Sequence, residues 1–129
     1  MIYVIDHKDS FTHNVVHQLS LFDKVECDDF SKVSTSKLNQ ASTIVFSPGP
    51  GSPKDYPLSS NIYKRYKGKK RIIGICLGFQ QILFSEGAKI IEQNKIYHGF
   101  QSEVIVNKSS KLFKDGQKFK VGRYHSLKL

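Results

Sequence analysis

The chain has 129 residues and a formal net charge of +9, with 39% hydrophobic and 12% aromatic residues. This length suits one compact core, and the apolar content favours a folded domain over an intrinsically disordered chain. No apolar run approaches the ~18 residues that span a bilayer, and the first residues lack the basic start of a signal peptide. We therefore expect a single cytoplasmic domain over residues 1–129, without a membrane partner.

The positive charge raises the question of a nucleic-acid partner. The densest basic run, "YKRYKGKKR" at 63–71, lies between a predicted helix and a predicted strand, and no groove-reading motif surrounds it. An exposed turn explains such a run, so we predict no nucleic-acid partner. Cys27 and Cys76 lie in different elements, which favours two thiols in a reducing compartment over a disulfide.

The first half of the chain alternates predicted strands and helices. "MIYVID" at 1–6 is apolar at nearly every position, as expected of a strand covered on both faces. Asp9 or Ser10 would cap a helix after it. The buried stripe of this helix would comprise Phe11, Val15 and Leu19. A strand, a short helix and another strand are predicted at 24–29, 34–40 and 42–47.

The second half begins with "SPGPGSPKDYP", which is too rich in proline and glycine for regular structure. A helix, an apolar strand and a helix are predicted at 58–66, 71–75 and 77–87. The last helix would bury Phe79, Ile82 and Leu83. More polar strands are predicted at 88–93, 102–107 and 118–126. The pattern predicts an α/β fold with an open, mostly parallel sheet, helices on both faces and a small antiparallel extension.

The segment "GICLGFQ" places Cys76 between Gly74 and Gly78, after an apolar strand and before a helix. Small residues two positions before and after a nucleophile are typical of the sharp strand-to-helix elbow of hydrolases. The N-terminus of the helix would also favour a thiolate. A buried core cysteine is the alternative. We predict that Cys76 is a nucleophile.

Acyl chemistry at a thiol needs hydrogen-bond donors for the developing oxyanion. The Leu77 N–H is one candidate, because it directly follows the nucleophile. The second would come from "SPGPGSP" at 47–53, where Gly49 can present its N–H closely because it has no Cβ.

Five segments in order, "IDHKDSFTHN", "SPGPGSP", "GICLGFQ", "HGFQSEV" and "RYHSL", resemble the class I glutamine amidotransferases. The resemblance covers the whole chain and is strongest to the glutaminase subunits of anthranilate and aminodeoxychorismate synthases. It implies a flavodoxin-like fold and an enzyme without a cofactor. Cys76 would attack L-glutamine, form a γ-glutamyl thioester and release ammonia for a chorismate-using synthase partner.

The resemblance also assigns residues that would bind the substrate. Gly49 would serve with Leu77 as the oxyanion hole, while Gly51 and Gln80 match glutamine-binding positions. Ser126 and Leu127 match the segment whose backbone holds the amino-acid end of glutamine. The segment "HKDSFTHN" would be part of the surface that docks the synthase.

One part of the family pattern is missing. Relatives complete a catalytic triad with a His-Pro-Glu motif downstream of "RYHSL", but no His-x-Glu follows Cys76 here. The chain is thus expected to be a family domain truncated at its C-terminus. The alternatives are a glutamine-binding or partner-binding module without turnover, and a different cysteine hydrolase. The sequence does not separate the anthranilate from the aminodeoxychorismate pathway.

The remaining histidines carry weaker predictions. His125 precedes the substrate-binding segment and is expected to be structural or to line the site, and His7 is placed in the loop after the first strand. His13 and His17 are four residues apart but lack a third ligand, so we predict no metal site. Phe79 stands where relatives often have histidine, which would alter packing beside the thiol.

Overall fold

A computed structural model describes residues 1–128, with the backbone alone at positions 93, 95, 97 and 128. The chain divides into two compact units, Met1–Ile90 and Ile91–Lys128. Each unit contains its own sheet.

The first unit is a parallel sheet of four strands in the order β2-β1-β3-β4. Its strands are β1 (Ile2–Asp6), β2 (Val25–Asp29), β3 (Thr43–Phe46) and β4 (Arg71–Gly74). Its helices are α1 (Thr12–Ser20), α2 (Thr35–Gln40), α3 (Pro57–Tyr66) and α4 (Leu77–Ser85). The predicted alternation and the open parallel sheet are confirmed.

Alternate side chains of the central strands enter two apolar cores, one on each face of the sheet. The first core is built from Tyr3, Ile5, Ile44 and Phe46 together with Leu38, Ile62, Tyr63 and Tyr66 of α2 and α3. The second contains Ile2, Val4 and Val45, covered by Val16 and Leu19 of α1. Helices therefore lie on both faces, as predicted.

The strand register brings three chain segments to one edge of the sheet. Phe46 lies opposite Ile5 in β1 and opposite Gly74 in β4. The ladder continues past the strand ends, since Ser47 N–H donates to Ile5 O and Ile75 N–H donates to Phe46 O, both at 3.1 Å. The segments that follow β1, β3 and β4 therefore leave the same edge, where open α/β sheets bind ligands.

Helix α1 begins later than predicted. Its N-cap is Phe11, which is 55% exposed rather than part of the buried stripe. The Asp9 carboxylate accepts the Phe11 N–H at 2.8 Å and so organises the turn before the helix instead of capping it. Thr12 takes the inward position and donates its hydroxyl to Asp6 at 2.8 Å. The prediction was wrong at Phe11 because the helix starts one residue after it.

The proline- and glycine-rich loop contains one regular turn that the sequence did not predict. Residues Pro53–Asp55 form a 3-10 turn. Proline at its first position suits such a start because it has no N–H to leave unpaired. The Asp55 carboxylate accepts the Ser52 N–H at 2.8 Å and closes the turn.

The second unit is an antiparallel pair, β5 (Ile91–Ile105) and β6 (Lys118–Lys128). The predicted antiparallel extension is confirmed, but the strands expected at 88–93 and 102–107 are one long strand. The register shifts twice between residues 92 and 100, and Gly99 has a φ of +75°. These irregularities bend the ladder without ending the strand, which is why the sequence reads as two segments.

Across residues 1–128, the helices all fall short of the length and apolar character that a bilayer-crossing segment requires.

Candidate active site

Cys76 occupies a strained turn between β4 and α4. Its φ is +53° and its ψ is −108°, and it is the N-cap residue of α4. A non-glycine residue adopts a positive φ only where its surroundings impose it. The side chain is exposed at the edge of the sheet where β1, β3 and β4 end. This is the strand–turn–helix geometry expected of a nucleophile elbow.

The flanking glycines have no room for a side chain. A Cβ on Gly74 would lie 2.4 Å from the carbonyl oxygen of Gly78, and a Cβ on Gly78 would lie 2.1 Å from the carbonyl oxygen of Phe46. Both distances are far below van der Waals contact, and the opposing atoms are backbone. The turn can therefore close only with glycine at both positions.

The electrostatics of Cys76 run against the sequence-based expectation of an activated thiol. Desolvation by the surrounding protein is the largest cause that raises the pKa of the Cys76 thiol, and the Asp9 carboxylate adds to it. A hydrogen bond from the Leu77 N–H opposes the rise in pKa but does not cancel it. At neutral pH the sulfur is therefore mainly a thiol, and the turn presents it without ionising it.

The loop that follows β3 approaches the start of α4 at Gly49. A Cβ on Gly49 would lie 2.6 Å from Leu77 Cδ2 and 2.5 Å from the Cβ of His7. Leu77 itself is buried. The structure thus brings Gly49 beside Leu77, the residue directly after the thiol. Their predicted role as an oxyanion hole is compatible with this contact and stays a prediction.

The rest of the loop is fixed by short hydrogen bonds. Gly51 has a φ of +73°, and a Cβ there would lie 2.5 Å from an oxygen of Asp55. The Tyr56 hydroxyl donates to the Pro50 carbonyl at 2.8 Å. The loop is therefore held from its outer side as well as from the sheet.

Helix α4 carries Gln80 one turn after the thiol. The Gln80 N–H donates to the Cys76 carbonyl at 3.1 Å, and the side chain is half-buried. The inward face of α4 consists of the buried residues Leu77, Gly78 and Gln81, and Ile82 of the predicted stripe also packs against the first core. Phe79 is 49% exposed, so the prediction that it is buried was wrong, because it lies off that face. Gln81 donates to Ser60 Oγ at 2.6 Å.

His7 is a residue whose importance the sequence did not reveal. It lies in the loop after β1, as predicted, but it is fully buried. Its Nε2 is 2.9 Å from Ser59 Oγ, and its Nδ1 is 3.3 Å from the Ser47 carbonyl oxygen. Desolvation lowers the pKa of His7 below its ordinary value. The position after a buried parallel strand was the one signal that could have suggested burial.

Two predicted substrate-binding residues belong to the second unit. Ser126 and Leu127 lie in β6, where Leu127 pairs with Glu92 across the ladder. Nearby, Arg123 Nη2 lies 3.1 Å from His125 Nε2. The first unit holds Cys76 and its neighbours, so the contact of Ser126 and Leu127 with glutamine stays a prediction.

The described residues hold no cluster of three or more His, Cys, Asp or Glu side chains with metal-binding geometry. His13 and His17 are exposed on α1.

The family profile "Glutamine amidotransferase class-I" matches residues 3–129. The chain belongs to the class I glutamine amidotransferase family. Anthranilate synthase component 2 of Lactococcus lactis is 37% identical to this amidotransferase chain over 131 residues, covering 98% of it and 65% of the relative. The corresponding protein of Pyropia yezoensis is 37% identical over 132 residues, covering 98% and 69%. The chain thus spans about two thirds of the length of these relatives.

Solved structures agree on the fold. A glutamine amidotransferase from Thermotoga maritima superposes with a TM-score of 0.70 at 20% identity, covering 98% of this amidotransferase chain and 60% of that one. A glutamine amidotransferase from Methylobacillus flagellatus gives 0.77 at 14% identity, covering 98% and 55%. The predicted flavodoxin-like fold is confirmed.

Proposed function

We propose that this chain provides the nucleophile of a glutaminase, and that the nucleophile is Cys76. The observation that carries the proposal is the backbone of Cys76, a non-glycine residue at φ +53° between two glycines that cannot hold a side chain. Such strain persists only where the surrounding structure enforces it, and it concentrates at active sites. A buried structural cysteine would need neither the exposure nor the strain.

In the proposed reaction, the Cys76 sulfur loses its proton and attacks the side-chain amide carbon of L-glutamine. The carbonyl oxygen takes the negative charge and accepts hydrogen bonds from the N–H groups of Gly49 and Leu77. The carbon–nitrogen bond then breaks, and the nitrogen takes a proton and leaves as ammonia. Water hydrolyses the remaining γ-glutamyl thioester to glutamate and restores the thiol.

The proton transfers need a base that serves the sulfur and then the departing nitrogen. Because the protein raises the pKa of Cys76, the turn does not remove this need. Residues 77–129 contain no His-x-Glu. We assign the base to the downstream His-Pro-Glu motif that the family resemblance implies. The second candidate function is a module that binds glutamine or a partner without turnover.

The substrate and partner follow from the resemblance. Gly49, Gly51, Gln80, Ser126 and Leu127 would hold L-glutamine. The family profile runs through both units, which supports their assignment to one domain. The relatives named anthranilate synthase component 2 support a synthase partner that uses chorismate, for anthranilate or for aminodeoxychorismate. Phe11 in the segment "HKDSFTHN" is 55% exposed and supports docking there.

A glutamine-mimicking diazoketone tests the site. We expect one adduct by mass, located on Cys76, with L-glutamine slowing its formation. Cys27 provides an internal control, because it is also an exposed thiol and its pKa is raised to about 11. Cys76→Ser should abolish the adduct. Labelling by iodoacetamide but not by the diazoketone would contradict a glutamine site.

A measurement of glutamine turnover distinguishes the glutaminase from the binding module. A missing general base costs ~10²–10⁴ in rate, so ammonia release from L-glutamine by residues 1–129 should be slow. Added imidazole should increase the release by the wild-type chain and not by Cys76→Ser. Diazoketone labelling without any imidazole-dependent release would favour the binding module.

A further inference from the structure

We propose that Ser47 is a positioning residue whose hydroxyl fixes the Pro48–Gly49 peptide and thereby aims the Gly49 N–H. His7 would select the direction in which that hydroxyl donates. The inference rests on the proposed function for its catalytic meaning, because Gly49 matters there as an oxyanion donor. The structural claim concerns only the orientation of the Pro48–Gly49 peptide plane.

The Ser47 hydroxyl is fully buried and makes two hydrogen bonds of opposite sense. It accepts the main-chain N–H of His7 at 2.9 Å. It donates to the Pro48 carbonyl at 2.6 Å. A hydroxyl has one hydrogen, so the bond to Pro48 uses the whole donor capacity of Ser47. The side chain therefore links the end of β1 to the loop that carries Gly49.

The bond to Pro48 sets the direction of the neighbouring N–H. The Pro48 C=O and the Gly49 N–H belong to one planar trans peptide, so they point in opposite directions. With the carbonyl held toward Ser47, the Gly49 N–H points away from Ser47. A peptide without this bond could rotate about its flanking bonds and replace the N–H by a carbonyl oxygen, which would repel an oxyanion.

His7 determines which way the hydroxyl donates. Its Nδ1 lies 3.3 Å from the Ser47 carbonyl oxygen and 3.4 Å from Ser47 Oγ. A carbonyl can only accept, so this contact favours the tautomer with the hydrogen on Nδ1. An Nδ1–H cannot accept from the Ser47 hydroxyl, which leaves Pro48 O as its target. Nε2 is then the bare nitrogen and accepts from Ser59 Oγ at 2.9 Å.

The surroundings restrict displacement of the Pro48–Gly49 peptide. Gly49 packs so closely that a Cβ would lie 2.5 Å from His7 Cβ and 2.6 Å from Leu77 Cδ2. On the far side, the Tyr56 hydroxyl holds the Pro50 carbonyl at 2.8 Å. Within this packing, the hydrogen bond from the Ser47 hydroxyl to the Pro48 carbonyl is the contact that would set the orientation of the Pro48–Gly49 peptide.

The test compares two reagents on Ser47→Ala. The diazoketone depends on carbonyl polarisation in the site, whereas iodoacetamide alkylates any accessible thiolate by simple displacement. We expect diazoketone labelling of Cys76 to slow by about 10-fold or more, toward the ~10²–10³ lost when an oxyanion donor is removed. Iodoacetamide labelling should be unchanged. Ser47→Thr keeps the hydroxyl and should restore the diazoketone rate.

A second measurement uses NMR to detect the orientation of the Pro48–Gly49 peptide directly. In protein labelled with ¹³C and ¹⁵N, the Pro48 carbonyl carbon and the Gly49 amide should shift in Ser47→Ala. They should stay in place in Thr43→Val, which removes another buried hydroxyl from the other end of β3. In the wild type, replacing the Ser47 hydroxyl hydrogen by deuterium should split the Pro48 carbonyl signal, a test that needs no variant to fold.

The outcomes are separable. Unmoved Pro48 and Gly49 signals, or an undiminished diazoketone rate in folded Ser47→Ala, would overturn the positioning role. A wild-type chain that the diazoketone never labels would overturn the proposed function, while the NMR signals would still decide whether Ser47 sets the peptide. Equal slowing with both reagents would show a general disturbance of Cys76 and would also overturn the role.

Discussion

The substitution Gly78→Ala should have two opposing effects on stability, a gain in helix propensity and a steric clash. Gly78 lies in α4, where alanine is favoured over glycine by ~1 kcal/mol in helix propensity. A Cβ there would be 2.1 Å from the Phe46 carbonyl oxygen and 2.6 Å from the Phe46 carbonyl carbon. Both are backbone atoms of a central strand, so no side chain can rotate away. The helix would have to retreat from β3.

The steric effect should dominate. Overpacking in a tight core costs ~1–3 kcal/mol and occasionally more, and a backbone contact belongs at the upper end. With the gain in propensity subtracted, we expect a net loss of about 2 kcal/mol in the free energy of unfolding. Since ~1 kcal/mol shifts the Tm of a domain of this size by ~4 °C, the Tm should fall by roughly 8 °C.

Urea and thermal unfolding followed by circular dichroism measure this change. Gly122→Ala is the control, because a Cβ there would meet only Tyr124 Cε2 at an ordinary 3.5 Å. A Gly78→Ala chain as stable as the wild type, or more stable, would refute the close helix–strand contact on which the turn at Cys76 depends.

Three further predictions follow from the electrostatics and packing. Asp9→Asn should lower the pKa of Cys76 by removing a repelling charge, so iodoacetamide should alkylate the thiol faster at neutral pH; an unchanged pH profile would contradict this. Burial lowers the pKa of His7, so the unfolded chain takes up a proton near pH ~6.5 that the native state does not bind. Unfolding free energy should therefore decline as the pH falls below that value, and less steeply in His7→Gln; equal slopes in urea titrations would count against it. Phe11→Ser should change the free energy of unfolding by less than ~0.5 kcal/mol, because Phe11 is exposed, whereas Val15→Ala should reduce it by about 2 kcal/mol, because Val15 is buried. Similar losses in the two variants would contradict this assignment of the buried face of α1.

The strands and the elbow could be predicted because local sequence specifies them. Residues 2–5 and 44–46 are apolar on successive positions, as expected of strands covered on both faces. The Gly-x-Cys-x-Gly spacing reflects a steric requirement, because a Cβ at Gly74 or Gly78 would clash with backbone atoms. In both cases the residues that form the pattern also make the contacts.

Other features depend on residues distant in sequence and could not be read from a local pattern. The buried His7 has hydrogen-bond partners in Ser47 and Ser59, which lie 40 and 52 positions away. The exposure of Phe11 depends on where α1 starts, and Thr12 decides that by bonding to Asp6. The helix-dipole argument for an ionised Cys76 failed because it omitted the desolvation of the sulfur and the nearby Asp9. Helix propensity and residue spacing include neither the desolvation of a side chain nor contacts between residues distant in sequence.

The geometry and the charge of Cys76 indicate that the turn positions the sulfur and that another group must deprotonate it. The two glycines and the positive φ place the sulfur at the edge of the sheet whatever its ionisation state. The raised pKa keeps it largely protonated, so its reactivity depends on a base that these turn residues do not provide. Supplying that base should increase attack on glutamine far more than alkylation by a small displacement reagent, since only the former also transfers a proton to a leaving nitrogen.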